Sequence, residues 1–128
     1  MNNEEYINNA VKTDVPDYKV ITDRLQDPRL ARFLHASMGL NTENAESQDI
    51  LKKTLIYGKP LDEAHLKEEL GDLFWYLGLI CDTLKVSFEE LQEANIAKLK
   101  ARYGDKFTEE AALNRNLNKE KEALDSKA

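Results

Sequence analysis

Several things are scarce in this chain. There is one cysteine, Cys81, so no intrachain disulfide can form. It lies inside an apolar run and reads as a small buried residue. Three prolines and five glycines leave little material for long irregular stretches. No apolar run approaches the roughly 18 residues of a membrane-spanning helix. The start, Met1-Asn2-Asn3-Glu4-Glu5-Tyr6, has neither a basic beginning nor an apolar core, so no signal peptide is expected and the working compartment reads as a reducing cytoplasm. Basic charge is also short, with 18 Lys and Arg against 24 Asp and Glu and a formal net charge of -6. That argues against nucleic acid as a main partner, because such partners favour a basic surface. An anionic small substrate stays open, provided that metal ions offset the repulsion.

What is present fits one all-α domain of 128 residues, long enough to bury a substantial core. The pattern predicts an antiparallel bundle of about five helices and no strand. The first covers about residues 3–12. A second starts at Asp27, an N-cap followed by Pro28 at the first helical position. It runs to about Met38, is thinned or interrupted at Gly39, and resumes to about Ile56. Tyr57-Gly58-Lys59-Pro60 ends it, since glycine caps and proline cannot continue. The next helix spans about 62–84. Beyond Asp72 it is apolar almost all round: Leu73, Phe74, Trp75, Tyr76, Leu77, Leu79, Ile80 and Cys81. Such a helix must be covered on several sides, so the core is expected to be completed by a homodimer or a tetramer. Ser87 with Glu90 makes a capping box for a helix ending near Gly104. The catalytic body is expected over 1–107, with a charged helical tail over 108–128 that packs weakly on the body or on a neighbour.

Four carboxylates stand out. Glu43 and Glu46 form one i,i+3 pair, and Glu69 and Asp72 another. Residues three apart share a helix face, so two antiparallel helices would bring all four together. Like charges that close repel unless a proton or a cation sits between them, and clustered hard oxygens suit Mg²⁺. Asp72 stands where its helix turns apolar, so it is expected to be partly buried and to need a partner. The competing reading is ion pairing within the bundle, with Lys52, Lys53 or Lys67 as counterions. Asn95, Lys98 and Arg102 form a stripe that could hold phosphate oxygens, or else an ordinary polar flank. Lys53 is a weaker candidate for the same task. Trp75, Tyr76 and Tyr103 could stack on a base, although core packing is the commoner use of such residues. His35 reads as a packing residue, because the metal set already looks complete in oxygen.

At these residues the chain resembles the MazG-like all-α nucleoside triphosphate pyrophosphohydrolases. The signature is E-x-x-E followed by E-x-x-D, matched by Glu43-Asn44-Ala45-Glu46 and Glu69-Leu70-Gly71-Asp72. His35-Ala36-Ser37-Met38-Gly39-Leu40, Tyr57-Gly58-Lys59-Pro60-Leu61, Asn95-Ile96-Ala97-Lys98-Leu99 and Arg102-Tyr103 are similar to the family as well. The likeness covers about residues 30–107. A tail containing Asn114-Arg115 resembles forms carried by phages and some bacteria. The family commonly has glycine where this chain has Ala45; alanine is small and helix-favouring, and is expected to keep the geometry.

The resemblance implies an Mg²⁺-dependent enzyme, with Mn²⁺ as the alternative ion. It would cleave a nucleoside triphosphate between the α and β phosphates, giving a monophosphate and pyrophosphate. Glu43, Glu46, Glu69 and Asp72 would be metal ligands and catalytic groups, with Glu43 or Glu46 as general base. Asn95, Lys98, Arg102 and Lys53 would contact substrate. The rival readings are a dUTP/dCTP-specific enzyme, a phosphoribosyl-ATP pyrophosphohydrolase, or a non-catalytic helical module that binds nucleotide or dimerises.

Overall fold

The computed structural model describes residues 1–126. It is all-α, with no strand among the described residues, but it holds seven helices rather than five. They are α1 (Asn3–Val11), α2 (Tyr18–Arg24), α3 (Pro28–Tyr57), α4 (Glu63–Leu84), α5 (Phe88–Tyr103), α6 (Glu109–Leu113) and α7 (Leu117–Asp125). The extra helices come from α2, a short segment capped by Asp17, and from the tail, which breaks around Asn114–Asn116 into α6 and α7.

Caps set most boundaries. Asp27 accepts from the Arg29 backbone N–H with Pro28 at the start of α3, and Gly58, at φ 65°, closes it in the left-handed region that favours glycine. Ser87 and Glu90 form the expected capping box of α5. Gly39 does not interrupt α3, which runs unbroken for 30 residues.

The connection Gly58–Asp62 is short, so α3 and α4 fold back as antiparallel neighbours. Arg32, near the start of α3, accordingly pairs with Asp82, near the end of α4. On α3 the more buried positions include Ala36, Leu40, Glu43, Ser47, Ile50 and Thr54, at alternating spacings of four and three. On α4 they include Leu66, Glu69, Leu73, Tyr76, Ile80 and Thr83, with the same alternation. That is the seam of a two-helix coiled coil, and Glu43 and Glu69 both lie on it.

The five-helix antiparallel bundle is not what a single chain forms. The α3–α4 hairpin is the main pairing, while α5 packs on α7 and, less extensively, on α6. The tail is not loosely attached. Glu120 of α7 is buried and accepts from Arg102 Nε of α5 at 2.9 Å and from Arg115 Nη2 at 2.8 Å. Much of the apolar surface of α4 stays uncovered within the chain, including Phe74 at 60% and Trp75 at 56% exposure. No helix among the described residues is long and apolar enough to cross a membrane.

Candidate metal centre

The hairpin register brings the four carboxylates of α3 and α4 into one cluster. Carboxylate oxygens of Glu43, Glu69 and Asp72 lie within 4.8 Å of one another. Ligand atoms of Glu46, His65 and Glu69 meet the same limit. Glu69 belongs to both groups. It is the buried member, 3% exposed, whereas Glu46 and Asp72 are exposed and Glu43 is half-buried. The expectation that Asp72 would be partly buried is therefore corrected: it is exposed. Glu69 sits on the seam facing α3, and Asp72, three residues on, falls at its margin.

Glu69 Oε1 lies 2.8 Å from His65 Nε2, and Oε2 is buried with no hydrogen-bond partner. An orphaned buried oxygen is rare and asks for an unseen partner. Burial first, and then the neighbouring Glu43 and Glu46 carboxylates, push the Glu69 carboxyl above its ordinary range; His65 offsets part of this.

The proposed counterions are elsewhere. Lys53 pairs with Asp49 at 2.8 Å, Lys67 reaches Glu63 at 3.9 Å, and Lys52 lies over the Tyr57 ring. Among the described residues no lysine or arginine forms an ion pair with Glu43, Glu46, Glu69 or Asp72. Ion pairing within the bundle thus does not explain the cluster. A buried acid with a bare oxygen, surrounded by acids and without a lysine or arginine partner, fits a divalent cation held by hard oxygens.

Around this cluster the packing is tight. The Tyr76 ring, one turn beyond Asp72, lies against Gly39, one turn before Glu43. His35 meets the same ring edge-on at 5.8 Å, consistent with its reading as a packing residue. Trp75 and Tyr76 also pack edge-on, at 4.9 Å. The Thr42 hydroxyl donates to the Gly39 carbonyl at 2.9 Å and lies 3.2 Å from Glu43 Oε1.

The basic stripe is not brought to the carboxylates within one chain. Asn95, Lys98 and Arg102 ride on α5, which packs mainly on α6 and α7 and meets the hairpin through Phe88 against Phe74. Arg102 is occupied by Glu120, and Lys53 by Asp49.

Sequence reasoning missed His65. The signal was present: it stands four residues before Glu69, on the same helix face. Its backbone N–H is fixed by the Asp62 cap at 3.0 Å, which sets the start of α4.

Comparison with curated proteins and with solved structures finds no significant match. A family model does match: that of the MazG nucleotide pyrophosphohydrolase domain fits residues 35–107, more than half of the chain and all four carboxylates.

Proposed function

The chain belongs to the MazG nucleotide pyrophosphohydrolase family, and from that premise we propose that it hydrolyses a nucleoside triphosphate between the α and β phosphates with Mg²⁺, Mn²⁺ being the alternative. One observation carries the reading: Glu69 is 3% exposed and has an unpartnered Oε2 amid three other carboxylates. Their shared cluster supports a catalytic role for Glu43, Glu46, Glu69 and Asp72. Mg²⁺, when bound, supplies neutralisation of phosphate charge and a water of lowered pKa.

The chain's own residues then divide the work. Glu69, held by the seam and by His65, is the fixed ligand. Glu43 and Asp72 complete its oxygen set from the facing and the same helix. Glu46 is exposed and without an ion-pair partner, so it is placed to take the proton of the attacking water. The water oxygen bonds to the α phosphorus, the bond to the α–β bridging oxygen breaks, and pyrophosphate leaves with that oxygen.

The same proposal includes a homodimer or a pair of dimers. Phe74, Trp75 and Leu70 are exposed on α4, and contiguous apolar surface of this kind marks an interface. A second copy of the chain is the occupant that also accounts for α5. Its Asn95 and Lys98 would then reach phosphates held at a neighbour's carboxylates. Arg102 would join them only by exchanging Glu120 for phosphate, and Lys53 only by releasing Asp49.

The test is pyrophosphate release from a panel of nucleotides with Mg²⁺, with Glu69→Gln and Asp72→Asn beside the wild type. The panel includes dUTP, dCTP and phosphoribosyl-ATP, which separates the substrate-specific alternatives. Pyrophosphate and monophosphate from the wild type, lost in both variants, is the expected result. Turnover surviving both substitutions contradicts the site. Absence of turnover on every nucleotide favours a non-catalytic nucleotide-binding or dimerisation module.

A further inference from the structure

The four family carboxylates do not exhaust the cluster. Glu69 presents two oxygens with different surroundings: Oε1 is 2.8 Å from His65 Nε2, while Oε2 is buried and unpartnered. Two triads meet at this residue. One is all oxygen, Glu43, Glu69 and Asp72; the other, Glu46, His65 and Glu69, contains an imidazole nitrogen. Each triad has its ligand atoms within 4.8 Å of one another; metal–ligand bonds of about 2.0–2.2 Å span at most about 4.4 Å, so a small side-chain movement would let one ion touch all three.

Ligand chemistry separates the two. Carboxylate oxygens suit Mg²⁺ and Mn²⁺, whereas imidazole suits Zn²⁺ and other later first-row ions. Geometry favours His65 as a ligand rather than a bystander. It lies one turn before Glu69 on α4, so both point to the same side. The Asp62 cap fixes its backbone at the helix start. Its Nε2 already lies 2.8 Å from Oε1 of the carboxylate whose other oxygen is without a partner.

We propose that the cluster is two adjoining cation positions sharing Glu69, and that the second, made by Glu46, His65 and Glu69, takes a borderline transition ion, Zn²⁺ or Co²⁺, through His65 Nε2. This rests on the reading of the carboxylates as a metal centre and extends it to a residue and an ion class outside the four-carboxylate set. The consequence is that Zn²⁺ and Mg²⁺ do not simply compete for one place: Zn²⁺ on Glu46 and His65 withdraws the carboxylate assigned above as the base, whereas Mg²⁺ at the oxygen triad leaves it free.

The experiment uses the full chain without nucleotide. Only two histidines are present, His35 and His65, so the imidazole ¹⁵N resonances can be followed during titration with Zn²⁺ alone. The expected result is a large shift at one His65 ring nitrogen, with His35 unmoved. In calorimetry, His65→Gln should lose at least the tenfold in Zn²⁺ affinity typical of removing even an outer partner of a metal site, while its Mg²⁺ titration keeps the wild-type midpoint. Wild-type Zn²⁺ binding with no response of the His65 ring, or equal Zn²⁺ affinity in His65→Gln, overturns the proposal and leaves the oxygen site standing. No binding of either ion by the wild type overturns both the proposal and the metal centre beneath it.

Discussion

Gly39 is the most revealing position to perturb. A Cβ built there would lie 2.1 Å from Tyr76 Cε1, 2.2 Å from Cζ and 2.4 Å from Cδ1. Carbon atoms in contact prefer about 3.5–4.0 Å, so the ring would have to retreat by more than about 1 Å. Overpacking of this kind costs about 1–3 kcal/mol, and so close an approach belongs in the upper part of that range. Alanine offsets about 1 kcal/mol through its better helix propensity. Gly39→Ala should therefore be destabilised by about 1–2 kcal/mol, a fall in Tm of about 3–10 °C for a chain of this size. Gly71, on the facing helix, has nothing within 4 Å of such a Cβ, so Gly71→Ala should gain up to about 1 kcal/mol from propensity alone. The two glycine substitutions are thus predicted to move Tm in opposite directions in thermal denaturation. Gly39 lies one turn from Glu43 and Tyr76 one turn from Asp72, so the wedge should also weaken divalent-cation binding by the carboxylates. Tyr76→Leu on the Gly39→Ala background should show a favourable coupling, because it removes the clash. A Gly39→Ala protein as stable as Gly71→Ala, with unaltered cation affinity, would refute the seam packing that positions the site.

Other predictions concern charge and surface. Glu69 has a raised pKa, so its fold favours the protonated acid. That contribution is full below the ordinary carboxyl range and is lost as pH rises through the raised value. Metal-free Glu69→Gln should therefore melt above the wild type at neutral pH, with a gap that opens as pH rises, while losing all Mg²⁺-dependent gain in Tm. A variant that melts lower at pH 8 in chelator would count against this. Glu120 behaves in the opposite sense: hydrogen bonds from Arg102 and then Arg115 lower its pKa to about 2. Its stabilisation is full above the ordinary value and lost as pH falls toward about 2. The wild type should accordingly out-melt Glu120→Gln at pH 7, by a margin that shrinks as pH drops below about 4.5. A margin that does not change with pH would assign the difference to packing. Trp75 is the only tryptophan, so covering it with a second copy should shift its emission to the blue as concentration rises. Trp75→Arg should yield a smaller species by light scattering; an unchanged mass would place the interface elsewhere.

Much of this was legible in the sequence where the controlling interactions are local. Asp27-Pro28, Gly58-Lys59-Pro60 and the Ser87–Glu90 box mark helix ends within a few residues, and the structure uses all three. The paired i,i+3 acids likewise needed only helix periodicity to be set on shared faces. What escaped depended on which face another helix covers. Asp72 looked partly buried because apolar residues follow it, yet α3 lies along the line through Leu66, Glu69, Leu73 and Tyr76, which buries Glu69. Gly39 looked like a weak point of α3, but its role is to admit a ring from the other helix. The tail looked loosely charged because Glu120 finds Arg102 across 18 residues of sequence. His65 was passed over because the oxygen set already seemed sufficient, although its spacing from Glu69 was plain.

The central claim is that acids from α3 and α4 share a divalent ion. Crystals grown with Mn²⁺ and measured near its absorption edge test it most directly. The account predicts an anomalous peak between the helices, in contact with Glu43, Glu69 and Asp72, that disappears in Glu69→Gln. A protein that releases pyrophosphate from nucleotides yet shows no peak at that cluster would contradict it.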